Sequence, residues 1–403
     1  MNKIRVAVVG IGGYGQTYVN QFLQGDVANA ELVAGVDLAP ERYDRLDEMK
    51  AASVAVYTSL EDFLKNDSAD LIAIASPIHL HCEHTCLALE NGANVLCEKP
   101  LTGSIEEAEQ MLRAERASGK FVAIGYQWSF APTILRLKAD IMSGKFGRPL
   151  SFRSLSCWPR PLSYYQRNNW AGRISTDDDR PVLDSPAANA HAHHLHNMLF
   201  LLGPTRTESV VPSRMTAELY RANDIENFDF GAFRIFTDND VEVLFLGAHP
   251  LQYQIGPIFH AAFEEADVSY APYGNKGSWR ARSKDGRVTN YGDGGSDKLG
   301  DCIEAARTGG DVSCGVRGAA AHVIAICGAR ESMPEIKAIP EDMKTVIDTA
   351  DSKLVTVDHL EEVMVQCYES GLLPSELGDV PWAVGGKEVD LIESGRMFRE
   401  TQL

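Results

Sequence analysis

The sequence predicts an α/β protein of two domains. A doubly wound parallel sheet should occupy residues 1–125. An α+β domain should fill 126–403, built on an open, mainly antiparallel sheet and extended from about residue 341. Three observations lead there. A glycine turn, Gly10-Ile11-Gly12-Gly13-Tyr14-Gly15, joins an apolar run to a helix-like segment. Short apolar runs alternate with amphipathic segments as far as Ile124. After Trp128 the rhythm changes to longer segments of alternating polarity, which suit a half-buried antiparallel sheet.

The glycine turn follows Ile4–Val9 and precedes Gln16–Gln24, the strand–turn–helix order that builds a phosphate cradle. Gly10 permits the tight turn, Gly12 lets a pyrophosphate approach the backbone, and Gly15 lets the helix pack on the strand. Gly13 and Tyr14 complete the loop, and the helix N-terminus offers N–H groups to the phosphates. Asp37 ends a second strand, Leu32–Val36, where ribose hydroxyls are usually held. Its carboxylate favours NAD over NADP, because it would meet a 2′-phosphate unfavourably and Leu38 supplies no cation.

Further strands are expected at Val54–Tyr57, Leu71–Ala75, Val95–Cys97 and Phe121–Ile124. Helices are expected at Pro40–Lys50, Leu60–Lys65, Leu80–Asn91 and Ile105–Ser118. Ligands in parallel sheets sit beyond the carboxyl ends of the strands. That points to Ser76, Pro77 and His79, to Glu98-Lys99-Pro100, and to Gln127 and Trp128. A lysine at position 99 would polarise a substrate hydroxyl and favour the alkoxide that develops as hydride leaves. The alternative is a solvated loop lysine.

In the second domain a helix is expected over Pro186–Leu202, with Ser185 as its cap. Asn189, His193, His196 and Asn197 would then share a face. A histidine there is a natural proton acceptor, and Asp184 lies just before the helix. Four histidines in six residues also raise a metal site, but no nearby Cys or Glu completes a tetrahedron. His79, His81, Cys82, His84 and Cys86 read as soft residues scattered on a helix. Trp158, Arg160, Tyr165, Arg167, Asn168 and Trp170 are candidates to stack on a sugar ring and bond its hydroxyls, or else form a polar loop.

A formal charge of -18 without a Lys/Arg cluster argues against nucleic acid and anionic membranes as partners. No apolar run approaches the length of a membrane helix. Met1-Asn2-Lys3-Ile4 runs directly into the first strand, and the eight cysteines lack a paired pattern, so a cytoplasmic protein with reduced thiols is expected. The open sheet face leads us to expect a homodimer or homotetramer.

The chain resembles the Gfo/Idh/MocA oxidoreductases, the family of glucose-fructose oxidoreductase and inositol dehydrogenase. The resemblance covers about residues 3 to 335. It rests on Val8 to Gly15, on Ala73-Ile74-Ala75-Ser76-Pro77 with His79, and on Val95-Leu96-Cys97-Glu98-Lys99-Pro100-Leu101-Thr102. The histidine helix ending Leu201-Leu202-Gly203 and the segment from Asp297 continue it. The resemblance implies an NAD(P)-dependent dehydrogenase with a Rossmann domain, acting on a sugar, cyclitol or derivative. It places the catalytic lysine on Lys99 and the catalytic histidine on His193. The family usually has an aspartate one helical turn before that histidine, and here Asn189 stands in its place. Asp184 is the nearest carboxylate that could substitute. Two rivals follow: hydrolysis of a glycoside by transient oxidation and elimination, and a non-catalytic dinucleotide sensor.

Overall fold

The computed structural model describes residues 3–273, 276–350 and 352–399, so Met1 and Asn2, ahead of the first strand, lie outside it. The chain divides into two compact units, residues 1–130 with 296–319, and 131–295 with 320–403.

The first unit holds six parallel strands: β1 (Ile4–Val9), β2 (Ala30–Val36), β3 (Ala55–Tyr57), β4 (Leu71–Ile74), β5 (Asn94–Cys97) and β6 (Val122–Ile124). Their order is β3-β2-β1-β4-β5-β6, the doubly wound arrangement expected. Strands β1 and β4 read as near-continuous apolar runs because helices cover both faces. Local signals start two of those helices: the Ser59 and Ser104 side chains accept from the amides of Asp62 and Glu107. The segment expected as one helix over Pro40–Lys50 is instead a 3₁₀ turn, Pro40–Arg42, and a helix, Leu46–Ala51. The sequence reading gave all of 126–403 to the second domain. Helix Lys298–Thr308 in fact packs on β1, β4 and β5. Its anchor is a buried ion pair between Lys298 and Glu98, a partnership 200 residues apart that no local pattern announces.

The second unit is organised on a ten-stranded, mainly antiparallel sheet. It contains β7 (Pro149–Cys157), β8 (Pro212–Arg221), β9 (Phe230–Thr237), β10 (Glu242–Ala248), β11 (Ile255–Phe263), β12 (Ala266–Tyr273), β13 (Lys276–Ser283) and β14 (Val288–Gly292). Strands β9 and β10 form the hairpin expected at Thr237–Asp240, where Asp240 takes φ 59° and the Thr237 amide donates to Val241 O. Strand β8 escaped the sequence reading, which left 204–228 unassigned.

The expectation of an open sheet face needs correction. The extension returns across it. Hairpin Lys344–Asp348/Lys353–Val357 and helix Leu360–Ser370 pack with Trp382 onto β7, β8, β9 and β10. Leu155, Tyr220, Phe230, Leu244 and Leu246 lie beneath them. Arg153 donates to Tyr368 O and Glu369 O, and Arg234 holds Glu376 through two bonds. The chain thus covers the apolar surface of β7 to β10 with its own residues. Trp382 is 3% exposed, with its ring 4.9 Å from Tyr220 and 5.4 Å from Phe230. We expect Trp382→Ala to lower unfolding stability by about 3–5 kcal/mol through the cavity it leaves. Urea titration checks this, and a loss below about 1 kcal/mol would show the extension only loosely docked.

Candidate active site

In the first unit the glycine cradle is formed. Gly10 has φ +86°, and a Cβ there would stand 2.5 Å from Ala75 O at the end of β4. A Cβ on Gly15 would stand 2.5 Å from Gly10 O and 3.1 Å from Val8 Cγ1, so only glycine permits this strand–helix contact. Asp37 crosses from β2 to the same loop. Its Oδ2 accepts from the Gly12 amide at 2.8 Å and its Oδ1 from the Ala39 amide at 3.0 Å. The carboxylate is therefore held at the rim of the cradle, where a ribose is bound in such folds. Leu38 beside it is 85% exposed. Tyr14 is also half exposed and stacks edge-on against Tyr18.

The loops after β4 and β5 are tied together by a residue the sequence reading set aside. His81 bonds Pro100 O through Nδ1 at 2.8 Å and Ser76 O through Nε2 at 2.9 Å. It thereby clamps the Ser76-Pro77 turn to the Lys99-Pro100 turn, whose peptide is cis. Burial depresses its pKa, while the two carbonyls favour the charged ring. The available signal was its place one helical turn after Ser76-Pro77. His84 adds a bond from Nδ1 to Ser76 Oγ at 3.0 Å.

Glu98 is 7% exposed, and Tyr18 and Lys298 share its Oε1. Its Oε2 lies 3.3 Å from the Lys99 amide. A Cβ on Gly125 would stand 2.9 Å from that Oε2. These contacts suit Glu98 to fixing the Lys99 loop more than to touching a cofactor, the role first expected of it. Lys99 itself is half-buried at the mouth of the loop. Gln127 and Trp128 lie on a 3₁₀ turn after β6, both half-buried.

In the second unit the histidine segment departs from expectation. The helix runs Ala192–Leu201, shorter than Pro186–Leu202. Ser185 does cap a turn, accepting from the Ala188 amide, but the His191 amide reaches back to Pro186 O and closes that turn separately. Asn189 therefore sits on the turn ahead of the helix, outside the face it was expected to share. Its Nδ2 donates to Asp184 Oδ1 at 2.8 Å. Asp184 is 2% exposed and also accepts from the Gly172 amide at 2.7 Å, with Arg167 at 3.5 Å. The carboxylate thus reaches Asn189, the amide expected where the resembled family has an aspartate. A backbone atom of Asp184 is held too, its carbonyl accepting from Asn227 Nδ2.

His193 is half-buried, whereas its neighbours on the helix are fully enclosed. His196 is 0% exposed and stacks on Phe200. His191 and His194 pack around Trp158, at 4.8 and 5.3 Å, and His191 bonds Ser156 Oγ through Nδ1. His249 joins them 5.0 Å from His191 and bonds Trp158 O. Burial drives the pKa of His194 and His249 down to about 3, and those of His191 and His196 well below the usual value. These rings are neutral packing elements. Among the described residues, no group of three or more His, Cys, Asp or Glu could hold a metal ion.

The aromatic and basic segment forms a stacked layer. Arg160 lies over Tyr164 and Trp158, and Arg167 over Tyr164 and Trp170, at 3.8 to 5.8 Å. Asn168 accepts from the Trp170 amide and Tyr165 packs edge-on to Tyr164. Among the described residues, no helix is long and apolar enough to cross a membrane.

A doubly wound sheet, its glycine cradle and an acid at the end of the second strand define a dinucleotide-binding domain of the oxidoreductase type. Residues 4–126 match the family described as "Oxidoreductase family, NAD-binding Rossmann fold". This match to the Gfo/Idh/MocA family model covers the N-terminal domain. The chain is 34% identical over 152 residues to inositol 2-dehydrogenase of Rubrobacter xylanophilus, covering 38% of this chain and 43% of that one. It is 25% identical over 251 residues to 2,7-anhydro-N-acetylneuraminate hydratase of Mediterraneibacter gnavus, covering 62% of each. The chain spans less than half the length of the first curated relatives it matches. Its fold is like that of the WlbA dehydrogenase of Bordetella pertussis, solved with NADH and UDP-GlcNAcA. That likeness has a TM-score of 0.66 and 21% identity, covering 82% of this chain and 97% of the other.

Proposed function

We propose that the protein is an NAD-dependent dehydrogenase that oxidises a secondary alcohol of a sugar, a cyclitol or a derivative of one. The observation that carries this is the cradle of Gly10, Gly12 and Gly15 with Asp37 at its rim, on the same sheet as the clamped Lys99 loop. The dehydrogenase relatives support the chemistry. The residues fit the cofactor: the loop has no side chain where a pyrophosphate would approach, and Asp37 offers a carboxylate to ribose hydroxyls. Bound NAD⁺ supplies the hydride acceptor.

The chain's own groups manage the proton and the developing charge. Lys99 binds the hydroxyl oxygen and stabilises its negative character as the carbonyl forms. His193 takes the hydroxyl proton. Asp184 turns the Asn189 amide through its NH₂, which directs the amide oxygen away as an acceptor. Asn189 cannot stabilise an imidazolium by charge; the carboxylate bonded to it is buried Asp184. Trp158, Arg160, Tyr165, Arg167, Asn168 and Trp170 make up the wall offered to the substrate.

The experiment is a screen of monosaccharides, inositols, anhydrosugars and glycosides for NAD⁺ reduction at the nicotinamide absorbance. Turnover of at least one polyol is expected. Release of a sugar without net NADH would instead favour oxidation followed by elimination, a reading that the hydratase relative keeps open. Tight NAD⁺ binding without any turnover would favour a sensor. Cofactor choice is tested separately. Asp37→Ala should weaken NAD⁺ binding about tenfold or more and raise the NADP⁺/NAD⁺ preference. Unchanged selectivity in fluorescence titration would remove Asp37 from that role.

A further inference from the structure

The second unit carries a cleft of about 480 Å³, lined from the segments 162–173 and 224–226. One wall is apolar, made by Tyr165, Ala171 and Ile225, and the rim is polar, made by Arg173, Asp224 and Glu226. The wall is built tightly. Gly172 has φ +70°, and a Cβ there would stand 3.1 Å from Ile225 and 3.2 Å from Tyr165. The loop that carries the acids is braced from below. Arg221 donates to Ile225 O and Glu226 O, and buried Asp229 accepts from the amides of Ala222 and Asn223 and from the Asn223 side chain. The cleft therefore does not depend on a ligand for its shape.

Its position matters as much as its size. Gly172, next to Ala171 in the wall, donates its amide to the same Asp184 carboxylate that holds Asn189. The Asp184 carboxylate thus links the backbone next to this wall to Asn189, ahead of the histidine helix. Its charge sorts ligands. The Arg173 guanidinium is already engaged by Asp177 at 2.7 Å and by Glu226 at 3.6 Å. Asp224 is exposed and, among the described residues, makes no hydrogen bond or ion pair. The rim thus carries net negative charge, with Tyr165 in the wall beneath it. That combination accepts hydroxyls or an ammonium group and repels phosphate.

We propose that this cleft is a second carbohydrate subsite, which receives a neutral or amino-bearing sugar attached to the one that is oxidised. The proposal rests on the dehydrogenase reading above. It makes glycosides the substrate class and disfavours nucleotide-linked sugars.

The test uses the full chain saturated with NAD⁺ and isothermal titration with matched probes: glucose, glucosamine, cellobiose, maltose, the β-1,4 disaccharide of glucosamine, and UDP-glucose. At least one disaccharide should bind tenfold or more tighter than its own monosaccharide, and UDP-glucose should gain nothing over glucose. Gln166→Trp, at the exposed rim, should block the cleft, and Asp224→Arg should reverse its field. Each should remove the disaccharide increment and leave the monosaccharide constant unchanged. Equal affinity within every pair, or an increment that survives both variants, overturns the subsite while leaving the dehydrogenase reading intact. Failure of NAD⁺ and every monosaccharide to bind overturns that reading, and the subsite with it.

Discussion

Replacing Lys99 by Ala should lower kcat by roughly 10³-fold and leave the dissociation constant for NAD⁺ within about twofold. His193→Ala should behave alike. The reason is that both groups act on charge that exists only while the alcohol gives up hydride and proton. Lys99 is half-buried on a loop whose backbone is fixed from two sides, by Glu98 below and by the His81 clamp through Pro100. Removing its side chain should not disturb the cradle at Gly10 to Gly15. His193 is likewise the half-buried histidine of a helix whose other histidines are enclosed. Stopped-flow turnover and fluorescence titration of NAD⁺ separate the outcomes. Should either variant lose NAD⁺ affinity and turnover together, its residue belongs to the cofactor site or to the fold. The double variant should be little worse than the single ones, since groups that act as a unit are not additive.

The second unit should lose stability steeply as pH falls below about 6.5. His191, His194, His196 and His249 are enclosed and held neutral, with His194 and His249 pushed to about 3. In the unfolded chain each would titrate near 6.5. The folded pKa is depressed, so the unfolded state binds more protons between about 6.5 and 3. Stability from these groups is therefore complete above 6.5 and lost on the way down. Asp229 works the other way, its burial raising it to about 6, and burial also raises Glu218. The net uptake on unfolding near pH 5.5 is then between two and three protons, roughly 3–4 kcal/mol per pH unit. Urea midpoints measured at pH 7.5, 6.5 and 5.5 report the slope directly. His194→Phe, which keeps an aromatic ring against Trp158 and Phe259, should remove about one proton from it. A midpoint that does not move between pH 7 and 5.5 would mean that these rings already meet solvent.

Much of the first unit could be read from its residues because its information is local. The turn Gly10–Gly15 needs a positive φ and a missing Cβ within six residues, and strands buried on both faces announce themselves as apolar runs. The hairpin at Thr237–Asp240 and the caps at Ser59 and Ser104 are of the same kind. What could not be read depended on partners far along the chain. Strand β8 shows little because both its faces are covered, by helix Val316–Ser332 on one side and the extension on the other. Helix Pro186–Leu202 is broken after its first turn: the Asn189 amide still bonds Ser185 O, but the His191 amide bonds Pro186 O five residues back, while Ala187 O is engaged by His322.

The sequence alone determined the cofactor cradle, the loop bearing Lys99 and the two fold classes, since each is fixed by φ/ψ demands or periodicity within about a dozen residues. Tertiary structure decided the rest. It set His81 as the clamp between two loops, paired Lys298 with Glu98, seated Asp184 on Asn189 and laid the extension over the sheet. Those are contacts between surfaces that only meet once the strands are in order, and burial then settles which polar groups must pair.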